Sequence, residues 1–82
     1  MNFMMRFIII KCENFKIMFE VSKLLKGKGI TNFSYNDPQP HNICLQKDDE
    51  IKRKVLYKKI KDIVKEYEKE NLLTLEKVEY DL

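Results

Sequence analysis

The sequence predicts an α+β fold: a two-layer sandwich in which one antiparallel sheet carries two helices on one face. One observation and one rule of chain topology lead there. The spacing of apolar residues switches between a strand-like and a helical period in the order β-α-β-β-α-β. Right-handed crossovers over the two helices then give one antiparallel sheet with both helices on the same face.

Each element can be read in turn. Residues 6–12 are a short β-branched run, and four successive apolar residues, Phe7 to Ile10, mark a strand buried on both faces. Residues 14–26 have helical spacing. Ile17, Val21 and Leu24 line one face with Met18 and Leu25 beside them, Asn14 is the expected N-cap, and Gly27 or Gly29 is the stop. Residues 30–35 alternate as a second strand. Asn36-Asp37-Pro38-Gln39-Pro40 is a turn-rich loop, and residues 41–46 form a third strand.

Asp48-Asp49-Glu50 opens the strongest helix, where carboxylates suit free amides and the helix dipole. Val55, Leu56, Ile60, Ile63, Val64 and Tyr67 give it an apolar face, and it is expected to end near Asn71. Residues 72–82 form the last strand. Val78, Tyr80 and Leu82 share one face while Leu73 and Leu75 have the other parity, which predicts a bulge near Glu76-Lys77. This order of elements defines a ferredoxin-like sandwich over residues 1–82, with the first and third strands in the middle and one sheet face uncovered.

Composition bounds the function. Hydrophobic residues make up 44% and charged residues 35% of the 82, enough for a core in one small domain. A core this small favours dimerisation as an extra source of stability. Residues 1–61 hold 13 Lys/Arg against 6 Asp/Glu, and residues 62–82 hold 3 against 7. The body is therefore basic and the last segment acidic, which permits an anionic partner or head-to-tail self-attraction. Two cysteines are too few for a disulfide framework. The apolar start is broken by Arg6 and Lys11, and no stretch reaches the ~20 apolar residues of a spanning helix, so a cytoplasmic protein with no membrane partner is expected.

Three places could carry function. On the uncovered sheet face, Phe7 and Ile9, or else Ile8 and Ile10, must point away from the helices, and Phe7 and Ile9 are the pair expected to form an apolar interface for a second copy. An RNA platform of the kind seen in RNA-recognition motifs would want aromatics on the third strand, and there are none there. On the long helix, Lys52, Arg53, Lys54, Lys58, Lys59 and Lys61 come without an intervening acid, as a nucleic-acid backbone would require. Where the first strand ends beside the third, Cys12 and His41 would be neighbours with Glu13 nearby, the ingredients of an activated thiol or half a metal site. No CxxC or HxxxH spacing completes a zinc set, and no glycine loop cradles phosphate, so neither a metal nor a cofactor is expected.

The strand Arg6-Phe7-Ile8-Ile9-Ile10, the helix Met18-Phe19-Glu20-Val21-Ser22-Lys23-Leu24-Leu25 and the turn Lys26-Gly27-Lys28-Gly29-Ile30-Thr31-Asn32 together resemble the ACT regulatory domain. The resemblance implies side-by-side or sheet-face dimers that bind a small ligand, often an amino acid, at the first strand-helix turn. In this chain the turn is Lys11, Cys12, Glu13 and Asn14, without the glycine such domains carry, and His41 lies alongside. The expected function is therefore a small, non-enzymatic regulatory or binding module that self-associates through its sheet and takes a small molecule or a protein. Nucleic-acid binding by the basic helix and thiol or metal handling by Cys12 and His41 are the alternatives.

Overall fold

A computed structural model of the protein describes residues 4–81. Strand β1 (Met4–Cys12) is the apolar run, extended back to Met4. Helix α1 (Phe15–Gly27) begins at its expected cap, with the Asn14 side chain accepting from the Ile17 amide at 2.9 Å. It ends in a Schellman motif: the Gly29 amide donates to the Lys26 carbonyl and the Ile30 amide to the Leu25 carbonyl. Gly29 sits at φ 80°, a conformation that strains any side chain. Leu24, expected on the inner face, is turned outward. The buried stripe runs through Ile17, Met18, Val21, Ser22 and Leu25, and the Ser22 hydroxyl donates to the Phe19 carbonyl at 2.8 Å.

The second strand is shorter than expected. The α1 cap holds the Ile30 amide and the Ile30 side chain enters the core, so the chain joins the sheet edge only at β2 (Ser34–Tyr35). Strand β3 (Asn42–Gln46) starts after His41, whose φ of 69° takes it out of strand geometry. Asn36 closes the intervening loop, accepting from the His41 amide at 3.0 Å through its side chain and donating its own amide to the Asn42 carbonyl at 2.7 Å.

Helix α2 (Glu50–Ile63) is capped by Asp49, which accepts from the Lys52 amide at 2.9 Å. The single helix read from the sequence is broken at Val64, where φ is −100° and ψ 12°, and resumes as α3 (Lys65–Lys69). The buried Val64 side chain packs in the core at the break and Tyr67 packs against the same core from α3. The helical run still ends at Asn71, with φ 60° and the Leu72 amide on the Tyr67 carbonyl.

Strand β4 (Leu73–Asp81) has no bulge. It pairs with β1 without interruption from Cys12 opposite Leu73 to Met4 opposite Asp81. The change of parity that predicts a bulge is instead a strand with apolar residues on both faces. Leu73 and Leu75 face the helices, and Val78 and Tyr80 face away. Leu82 and the apolar start at residues 1–3 lie outside the described residues.

The sheet is antiparallel in the order β2-β3-β1-β4, so β1 and β3 are interior. Ile8, Ile10 and Cys12 of β1 join Ile43, Leu45 and Leu73 against Ile17, Met18, Val21, Leu25, Ile60 and Val64 of the helical layer. Among the described residues no helix is long and apolar enough to cross a membrane.

Candidate functional site

The uncovered face of the sheet carries Phe7, Ile9, Cys44, Val78 and Tyr80, because residues paired across an antiparallel sheet share a face. Phe7 meets Tyr80 edge-on, with ring centroids 5.8 Å apart. Ile9 is only 4% exposed. It lines a small cleft of about 80 Å³ together with Phe7, Asp37, Pro38, Cys44 and Tyr80. Of the two expected interface residues, Ile9 is thus already covered by its own chain, and the apolar surface that remains centres on the half-exposed Tyr80. Burial and the Asp37 carboxylate push the Cys44 thiol up, partly opposed by Ser34.

Among the described residues the edge of this face is β4, which pairs with β1 on one side only. The Glu13 amide bonds the Leu72 carbonyl, whereas the Cys12 amide bonds the His41 carbonyl and the Arg6 carbonyl accepts from Lys47. Odd-numbered β1 residues therefore bond β4. By the antiparallel alternation, the amides and carbonyls of Leu73, Leu75, Lys77, Glu79 and Asp81 point outward. The other edge, β2, offers two residues.

The residues expected at a ligand turn do not converge. The Lys11 ammonium pairs with Glu76 at 2.6 Å, Asn14 is spent on the helix cap, and Glu13 is exposed. Cys12 and His41 meet through the backbone, the Cys12 amide donating to the His41 carbonyl at 3.2 Å. Their side chains diverge: Cys12 enters the core, while the His41 ring packs edge-on against Phe15, centroids 4.4 Å apart. Burial pushes the Cys12 thiol up to about 11, the reverse of what an activated nucleophile needs. Among the described residues no group of three or more His, Cys, Asp and Glu side chains is placed to hold a metal ion.

The basic run on α2 is divided. Lys52, Lys54, Lys58 and Lys59 are exposed, and Lys61 pairs with Glu68 at 3.3 Å. Arg53 is only 6% exposed. Its guanidinium donates to the Val78 carbonyl at 3.2 Å and to Glu79 at 2.6 Å, so it clamps α2 to β4 and is withdrawn from any charged surface. With Arg53 turned inward, Val55 is turned outward, contrary to the expected apolar face. Ile51 and Val55, one turn apart, are 76% and 65% exposed.

These two residues line a shallow cavity of about 320 Å³, which shares Lys47, Leu56 and Lys59 with a neighbouring one of about 290 Å³, so that the two form one groove. Its walls are the loop Gly29–Asn32, the end of β3 and the outer flank of α2. A sequence signal for it existed. At 100° per residue, Val55 lies about 140° around the helix from Ile60 and cannot share its face. Comparison with family models, with curated proteins and with solved structures gives no match.

Proposed function

We propose that the chain is a small non-enzymatic binding module, built on a ferredoxin-like sandwich, that self-associates through its sheet, edge to edge along β4. The strand order β2-β3-β1-β4 supports that scaffold, with the second crossover split into α2 and α3. The observation that carries self-association is the charge pattern of the nine-residue free edge Leu73–Asp81.

An antiparallel pair of identical strands has a two-fold axis through one residue, and facing residues must have the same parity. Three registers overlap at least seven residues of β4. Centring on Glu76 sets Glu76 against its own copy, and centring on Lys77 does the same with lysine; both place like charges directly opposite. Centring on Val78 sets Val78 against itself and Lys77 opposite the other copy's Glu79, whose carboxylate also holds Arg53, and it leaves no like charges facing each other. That register also joins the outward-pointing groups of Leu75, Lys77, Glu79 and Asp81, and it makes the uncovered faces of two copies continuous around Val78 and Tyr80. Charged edge residues usually discourage pairing; here their order suits a second copy.

Sedimentation velocity over a range of concentrations tests this. The wild type is expected to dimerise. Lys77→Glu sets acid against Glu79, and Lys77→Pro removes an outward donor without touching the β1 ladder. Each is expected to weaken the dimer at least tenfold while leaving the far-UV spectrum intact. A dimer that survives both changes but is lost with Tyr80→Ser would move the interface to the sheet face. A wild type that stays monomeric throughout would sink the proposal.

A further inference from the structure

The groove on the outer flank of α2 has no role in the fold and none in the edge pairing. Its floor is Leu56 with Ile51 and Val55 on its border, the two most exposed large apolar side chains among the described residues. An exposed apolar pair one helical turn apart gives up burial for nothing unless something covers it. Its rim is Lys47, Lys52 and Lys59, and no acidic residue lines it. None of these three lysines makes an ion pair among the described residues.

We infer that the groove binds an acidic amphipathic helix of a protein partner. Three features choose this occupant. The groove runs along a little over two turns of α2 from Ile51 to Lys59, about 12 Å, with Ile51, Val55 and Leu56 as its apolar part, the length over which a docked helix presents anchors at positions i, i+3 or i+4, and i+7. Lys52 and Lys59 are seven residues apart on the same side of α2, about 10.5 Å, so carboxylates two turns apart on the incoming helix meet both. The polar groups at the far end, Thr31, Asn32 and Gln46, offer hydrogen bonds at the rim rather than in the apolar centre. A nucleic acid would use the lysines and leave Ile51 and Val55 exposed.

The test uses an amphipathic helical peptide with leucine at the i, i+3, i+4 and i+7 positions and glutamate flanking them, titrated into ¹⁵N-labelled protein. Amide shifts are expected at Lys47, Ile51, Lys52, Val55, Lys59 and residues 30–32. Ile51→Ser with Val55→Ser, both at exposed positions, is expected to weaken binding at least tenfold with the rest of the spectrum unchanged. Lys52→Glu with Lys59→Glu is expected to abolish it and to admit the same peptide carrying lysine in place of glutamate. Equal binding of both peptides by the wild type, shifts confined to β4, no shifts at all, or the same amides answering only to anionic lipid vesicles would each overturn the inference. Shifts at β4 report on edge pairing instead, so failure of this site and failure of the dimer are read separately.

Discussion

Cys12 and His41 share a backbone hydrogen bond while their side chains go separate ways. Their proximity could be read from antiparallel pairing of the first and third strands. So could the direction of Cys12, which has the parity of Ile8 and Ile10 and joins them in the core. The turn of His41 could not, because its φ of 69° depends on Asn36 reaching back across the loop. With its pKa raised in the folded state, the Cys12 thiol stays protonated at a pH where an unfolded thiol has ionised. Its contribution to stability is whole below about 9 and is lost as pH rises toward about 11. The melting temperature is therefore expected to fall more steeply over that window in the wild type than in Cys12→Ala. At pH 8 Cys12 is expected to alkylate far more slowly than a free thiol; fast alkylation in the folded state would show that the thiol is not held in the core.

Elements were legible in kind and order and less so in extent. The apolar run of β1 and the caps Asn14, Asp49 and Asn71 are local features, and local features survive into the fold. The length of β2 is set by the α1 cap drawing Ile30 inward, and the inward turn of Arg53 is set by the register of β4 some twenty-five residues away. A basic run reads as a solvated face until a carboxylate is known to wait beneath it. The clamp gives a prediction at this scale. Glu79→Ala leaves the buried Arg53 guanidinium without its counter-charge and is expected to cost roughly 3 kcal/mol, seen as a lower urea midpoint. Adding Arg53→Met should recover most of the loss. Arg6, whose Nε lies 3.5 Å from the same carboxylate without a hydrogen bond to it, is anchored elsewhere, its guanidinium donating to the Asp48 carbonyl. A Glu79→Ala midpoint equal to that of the wild type would show that the clamp carries no stability.

At the scale of the whole molecule, the fold separates two surfaces that the sequence merges into one charged background. One is the β4 edge, whose outward backbone groups and alternating charges suit another copy of the chain. The other is the α2 groove, with its lysine rim. Charge totals indicate no more than a basic body that permits an anionic partner, and they count Arg53 and Lys61, which the fold has already paired. If folding is linked to pairing at β4, the melting temperature is expected to rise by several degrees over a roughly hundredfold increase in concentration. The same series with Lys77→Glu should be flat; a flat wild-type series would separate stability from association. The two-residue β2 then has a meaning beyond its own place in the sheet. A sheet with one long edge and one vestigial edge has a valence of one. In the proposed pair of copies joined at their long edges, each outer border is the two-residue β2, too short to template a further strand, so growth toward a fibre is expected to stop at the pair.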